Sequence, residues 1–294
     1  MDEITTYHQP VLKDEVLKLL LTNERGTYVD CTIGGGGHAR GILEHTKGRL
    51  IGIDSDQEAL AHSRNSLSDY SQRLTLLQMR FGQLEKLPKI VKVRKFQGFL
   101  FDLGPSSHQF DSPHRGFSYL ANGPLDMRMD QRGGLTAEEV INEYPRTKLA
   151  LLIKEYGEEP KAKRIAKTIG YQRRRRRITS TLQLARIIAA LFAPLHRIKG
   201  LSRSFQAIRI EVNDELRQLR KGLKKGWEIL EVGGRICVIS YHSLEDRIVK
   251  ETFKGLPGGN VLTKKVIRPS LEEIKANPRA RGAKLRALEK VSAK

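Results

Sequence analysis

The chain is poor in the residues that mark secreted, membrane-spanning or metal-stapled proteins. Its 294 residues include two cysteines, Cys31 and Cys237. They fall in separate predicted strands and are too few for a disulfide framework, so a reducing, cytoplasmic setting is expected. No run of about eighteen apolar residues occurs, and the N-terminus lacks signal-peptide order, so neither a membrane span nor export is expected. The eight histidines are scattered, and no His, Cys, Asp or Glu group has metal-ligand spacing, so no metal is expected. Acid is scarce as well: 33 Asp and Glu stand against 53 Lys and Arg, a formal net charge of +20. Such an excess points to a polyanionic partner. No terminal amphipathic segment rich in Trp or Phe offers a membrane anchor, which leaves a nucleic acid.

What the chain does have is a glycine-rich turn at Thr27–Arg40. Tyr28 and Val29 run into Asp30, and the four glycines from Gly34 to Gly37 then open onto His38. A short buried strand that breaks into a glycine turn and restarts as a helix lays its backbone against a small molecule, because only residues without Cβ allow that approach. The glycines alone would also fit a dinucleotide fingerprint. Leu50–Ile53 is a second apolar run, and it ends on Asp54 at the distance after Gly34 where a carboxylate takes ribose hydroxyls. Asp30 separates the possible ligands. A pyrophosphate seeks a helix N-terminus free of nearby anions, whereas S-adenosylmethionine has no phosphate and carries an ammonium and a sulfonium that suit a carboxylate. Asp30 could also simply cap the turn.

Along the chain, residues 10–21 read as a short helix, and strands at 50–53 and 74–79 alternate with helices at 38–45 and 57–67. This βα order predicts a mostly parallel sheet with helices on both faces. Phe81 follows the third strand, where a ring could cover an adenine. Gly98–Asp102 is the fourth strand, after which the rhythm stops. The expectation is a Rossmann-like α/β domain over residues 1–105 and 206–294, with a helical domain over 106–205 inserted in it. Within the insertion, Thr136-x-x-Glu139 and Ser180-x-x-Gln183 are capping boxes. Five adjacent arginines at Arg173–Arg177 repel one another too strongly for a packed element, so the run reads either as a solvated loop or, given the overall charge, as a phosphate contact. Gln206–Leu230 reads as one long helix with an apolar stripe and a basic outer face. Arg235–Ser240 is a fifth strand that delivers Tyr241, His242 and Ser243. The basic C-terminal segment reads equally as helix or strand.

Several blocks resemble the ribosomal RNA small subunit methyltransferase H family in order along nearly the whole chain. They are Asp30–His38, Asp102–Ser107, Arg115–Phe117, Gly123-Pro-Leu-Asp-Met-Arg-Met-Asp130, Tyr156–Glu158, Phe205–Arg209, His242-Ser-Leu-Glu-Asp-Arg247 and Asn277–Arg281. The resemblance implies a class I methyltransferase fold and S-adenosyl-L-methionine as cofactor. It also implies methylation of N4 of a cytidine in the decoding region of 16S ribosomal RNA, as free RNA or in the small subunit. Its cofactor contacts fall on Gly36, Gly37, His38, Asp54, Phe81, Asp102 and Gln109, to which the residue-level reading adds Asp30 and Gly34. Pro105, Gly282 and the Arg173–Arg177 run depart from the family pattern.

Transfer to a cytosine N4 sets its own demands. The exocyclic nitrogen is a poor nucleophile, its lone pair being delocalised into the ring, so the site must pull on an N–H and hold the base in line. Asp102 is the first candidate and His242 the second. The Asp-Pro-Pro-Tyr motif common in DNA amino methyltransferases is lacking, because Leu103-Gly104-Pro105 follow Asp102. A stacking ring must then come from Tyr241, Phe117 or Tyr119. Asp126, Arg128 and Asp130 alternate in a loop that either braces itself or meets RNA, and Arg209 is a further RNA candidate. Two rival readings are a nicotinamide-dependent oxidoreductase on the same sheet and a non-catalytic ribosome-assembly factor.

Overall fold

The computed structural model describes residues 10–292. The chain divides into two compact units, Met1–Gly104 with Leu216–Lys294, and Pro105–Glu215. In chain order the first unit opens with α1 (Lys13–Leu20), β1 (Thr27–Asp30), α2 (Gly37–His45), β2 (Arg49–Asp54), α3 (Gln57–Ser66), β3 (Leu74–Gln78), α4 (Leu87–Val91) and β4 (Phe96–Asp102). The second contains α5 (Ser107–Asp111), α6 (Ala137–Glu143), α7 (Arg146–Gly157), α8 (Ala162–Arg175), α9 (Thr181–Ala189) and α10 (Arg197–Asn213). The chain finishes with α11 (Glu215–Ile229), β5 (Leu230–Ser240), α12 (Ser243–Gly255), β6 (Gly259–Val261), α13 (Leu271–Ala276) and β7 (Lys284–Lys290). No helix among the described residues is long and apolar enough to cross a membrane.

The first unit is built on a seven-stranded sheet of order β3-β2-β1-β4-β5-β7-β6. β1 to β5 are parallel, and β7 runs antiparallel to both β5 and β6. This is the mostly parallel, Rossmann-like sheet expected from the βα order. The central strands are apolar along their length because helices cover both faces: Tyr28, Val29, Leu50, Ile53, Phe99, Leu100, Phe101, Cys237 and Ile239 are all buried. β7 resolves the ambiguity of the C-terminal segment in favour of a strand. Parallel pairing brings the C-terminal ends of β1, β2 and β4 to one edge, so Asp30, Asp54 and Asp102 share it.

The helix expected over Gln206–Leu230 is two helices. Asp214 takes a left-handed φ of 55° between them. The apolar stripe continues past the break because α10 and α11 each bury a face, α10 in the second unit and α11 on the sheet. The insertion accordingly ends at Glu215 rather than at 205.

The second unit has a core of its own, in which Val140, Ile141, Leu149, Ile153, Ile165, Ile169, Leu184, Ile188 and Ile208 are fully buried. Both capping boxes form, each side-chain oxygen accepting a backbone N–H and each N3 side chain reaching back. The arginine run is not a solvated loop. α8 continues through Arg175, and Arg173 donates from Nη1 to Ile141 O (2.6 Å) and from Nη2 to Tyr144 O (2.7 Å), satisfying carbonyls at the end of α6. Arg177 pairs with Glu138 and Glu143 at 2.7 and 3.2 Å. Repulsion within the run is offset by backbone carbonyls and carboxylates that the sequence gives no means of locating.

Candidate active site

The glycine turn is held by its neighbours on the strand edge. Gly34 takes φ +49° and Gly36 φ +84°, a region an L side chain enters only with strain, and a Cβ on Gly36 would also lie 3.1 Å from Leu67 Cδ1. Gly34 N–H donates to Asp54 Oδ2 at 3.0 Å, and Ser63 Oγ donates to Gly34 O at 2.8 Å. Asp54 Oδ1 accepts from Asp56 N at 2.9 Å. Asp54 therefore fastens the end of β2 to the turn, a role the sequence does not reveal. Gly36 caps α2, whose first residues are Gly37 and His38.

Four polar side chains gather beneath this turn. Asp30 is buried, with Oδ1 accepting from Thr32 N at 3.2 Å. Burial pushes its carboxyl up to about 7, opposed by the nearby His38. Burial likewise raises Asp54 to about 6, opposed by the N–H groups it accepts from Asp56 and Gly34. His38 is 5% exposed. Its Nε2 lies 3.6 Å from Asp102 Oδ2, and neither ring nitrogen has a hydrogen-bond partner among the described residues. Asp102 Oδ1 accepts from Tyr241 Oη at 2.9 Å, and the Asp102 backbone N–H donates to Thr32 Oγ1 at 2.7 Å. Burial first, and then the Asp102 carboxylate, hold the Tyr241 phenol well above its ordinary range, so it remains a donor.

The structure thus brings Asp30, Gly34, Gly36, Gly37, His38, Asp54, Asp102 and Tyr241 together on one sheet edge. Phe81 follows β3 and packs edge-to-face on Phe101, ring centroids 5.7 Å apart. His242 caps α12, its Nδ1 accepting from Glu245 N at 3.4 Å, while Glu245 Oε2 accepts the N–H groups of Tyr241 and His242. That geometry gives His242 a structural task. Thr32, which sequence spacing does not single out, anchors Asp102.

The remaining candidates belong to the second unit. Gln109 is buried, its Oε1 accepting from Ser106 N in a capping box at the start of α5. Arg128 forms a two-pronged pair with Asp126, Nη2 to Oδ2 at 2.7 Å, and Arg132 pairs with Asp130. The alternating loop is braced from within. Arg115, wholly buried, donates from Nη2 to Arg128 O and Met129 O, and Asn213 takes Met129 N–H and donates to Met127 O. Arg209 pairs with Glu215 at 2.8 Å. Nothing in the sequence marks Arg115 and Asn213 as loop supports, because their partners are backbone groups.

The model of the MraW methylase family matches residues 5–291. The chain is 44% identical over 310 residues to a ribosomal RNA small subunit methyltransferase H of Symbiobacterium thermophilum, with 98% of each chain covered. It is 45% identical over 299 residues to the protein of that name in Thermotoga neapolitana, covering 99% of this chain and 98% of the other. Among solved structures it is similar to an rRNA methylase from Streptococcus thermophilus, at 14% identity and a TM-score of 0.45 over 95% of this chain and 94% of that one. With the family match running through the glycine turn, both units and β7, the chain belongs to the MraW methylase family.

Proposed function

We propose that this chain uses S-adenosyl-L-methionine to methylate N4 of a cytidine in the decoding region of 16S ribosomal RNA, acting in the cytoplasm on the free RNA or the small subunit. The observation that carries the reading is the cluster under the glycine turn. Three carboxylates and a buried imidazole that makes no hydrogen bond among the described residues meet at the ends of three parallel strands. A pyrophosphate there would face Asp30, Asp54 and Asp102, whereas a ligand bearing an ammonium and a sulfonium is drawn to them. The names of the relatives support ribosomal RNA as the acceptor.

In this reading the bare backbone of Gly34, Gly36 and Gly37 receives the cofactor, Asp54 takes its ribose, and Phe81 covers its base. Asp30 and His38 complete the contacts made by the first unit. When bound, the cofactor supplies an electrophilic methyl group on sulfur. Asp102 Oδ2 and the carbonyls of Leu103 and Gly104 accept hydrogen bonds from the exocyclic N–H groups of the target base. That pull restores lone-pair character to N4 and orients it for in-line attack. Tyr241 Oη holds the Asp102 carboxyl in place during the step. The methylated nitrogen is acidic enough to lose its proton to water, so no strong base is needed. The target nucleotide must be unpaired or flipped to reach the strand ends.

Mass spectrometry of 16S RNA from a strain lacking the chain is expected to show one decoding-region cytidine short of a methyl group. Wild type, but not Asp102→Ala, restores it. Unchanged cytidine methylation would leave the assembly-factor reading standing, and calorimetric binding of NAD in place of the methyl donor would favour the oxidoreductase.

A further inference from the structure

We propose that the solvent face of α8 is an RNA-tracking surface, on which its cations meet phosphates and Tyr171 stacks an unpaired base. The inference rests on the reading above that RNA is the substrate, and it assigns a recognition surface to a helix that reading does not use.

α8 contains no acidic residue. Its inner face is apolar and buried through Ala162, Ile165, Ala166, Ile169 and Gly170. Its outer face exposes Lys163, Arg164, Lys167, Tyr171, Arg174 and Arg175. From Lys163 to Arg175 the helix rises roughly 18 Å at about 1.5 Å per residue, long enough to follow several phosphates of one strand. Surface cations usually find carboxylates, and those at the end of the run do: Arg177 is paired with Glu138 and Glu143. Among the described residues, no carboxylate bonds or pairs with Lys163, Lys167, Arg174 or Arg175. The five-arginine run is therefore divided, with Arg173 and Arg177 bracing α6 while Arg174 and Arg175 stay open to solvent.

Tyr171 is the second, independent observation. It is 54% exposed in the middle of the cationic face. The Arg175 guanidinium carbon lies 5.1 Å from its ring centroid. An aromatic platform with a guanidinium beside it, set among unpaired cations, is the arrangement that binds single-stranded nucleic acid. A lipid surface would call for a broader apolar face, and α8 exposes one ring.

The test is binding of the full chain to a 16S RNA fragment spanning the decoding region, read by fluorescence anisotropy across a salt series. Replacing Lys167, Arg174 and Arg175 together by Gln is expected to lower the slope of log affinity against log salt by about two, at about 0.7 per single-strand phosphate contact. Tyr171→Ala is expected to weaken binding roughly 10-fold, while Tyr171→Phe binds as wild type does. The control removes three exposed cations of α11, Arg220, Lys221 and Lys224, in the same way. An equal loss of slope there would reduce the effect to bulk charge and overturn the proposal, as would an unchanged slope in the α8 variant. Calorimetry with S-adenosylmethionine checks that each variant is folded. If wild type neither binds nor methylates the RNA, this inference falls with the functional reading. If wild type does both and the α8 variants match it, only the inference falls.

Discussion

The phenol of Tyr241 donates a 2.9 Å hydrogen bond to Oδ1 of Asp102, joining residues 139 positions apart at the ends of β5 and β4. A bond to an ionisable carboxyl in a buried setting contributes about 1.5–3 kcal/mol. It fixes the orientation of the carboxyl, whose Oδ2 lies 3.6 Å from His38 Nε2. Tyr241→Phe keeps the ring packing and removes the donor. We expect kcat for methyl transfer to drop roughly 10- to 100-fold while the calorimetric affinity for the methyl donor changes less than about 3-fold. A loss confined to donor affinity would show that Tyr241 serves the cofactor instead.

At Gly36 the backbone is left-handed and Leu67 stands close to the missing side chain. Gly36→Ala is expected to cost about 1–3 kcal/mol in urea unfolding and to remove measurable donor binding. Retained stability with retained binding would mean that the turn can relax.

Asp54→Ala removes both the acceptor for Gly34 N–H and the group assigned to the ribose. Donor binding should disappear in calorimetry. A mere few-fold weakening would return Asp54 to a purely structural part.

The two raised carboxyls make opposite predictions for stability and for binding. Asp30 at about 7 and Asp54 at about 6 stand above the ordinary 3.8. Between pH of about 4 and 7 the folded chain holds protons that the unfolded chain has released. The stability they confer is thus complete below about pH 4 and is lost as pH rises through 6 and 7. Asp30→Asn keeps an acceptor for Thr32 N–H and removes the titration, so the fall in Tm of the ligand-free chain from pH 5 to 8 should become shallower. Donor affinity in wild type should rise over the same interval, because the cation needs the ionised carboxylate. Parallel Tm profiles for the two proteins would contradict this account.

Arg173 and Arg174 are neighbours with different duties. Arg173→Ala leaves the carbonyls of Ile141 and Tyr144 without their donor and should cost about 1–3 kcal/mol. Arg174→Ala, at an exposed position, should stay within about 0.5 kcal/mol. Urea midpoints for the two variants decide it.

Legibility in the sequence follows the range of the interaction concerned. β1 to β5 and the glycine turn are marked by short apolar runs that end on Asp30, Asp54 and Asp102, and those patterns are local. The break at Asp214 is invisible, since the apolar spacing runs on through it and an aspartate in a left-handed conformation has no strong local signature. The solvated loop does not form at Arg173–Arg177 because Glu138, Glu143 and two helix-end carbonyls, brought near only by folding, offset the repulsion. In the site, residue chemistry and family resemblance named Asp30, His38, Asp54 and Asp102. The pairing of Asp102 with Tyr241, the tether from Thr32 and the Arg115 brace depend on contacts distant along the chain, so spacing could not supply them.

β7 lies inside the sheet, between β5 and β6, both of which precede it in the chain. During synthesis β6 has no partner in the sheet until residues 284–290 have emerged and slid in beside β5. Until then the outer edge of β5 is an open row of amides and carbonyls, the form in which strands join to strands of other chains. A ribosome stalled shortly before residue 284 would therefore display a nascent chain prone to self-association, even with its glycine turn and acidic cluster already made.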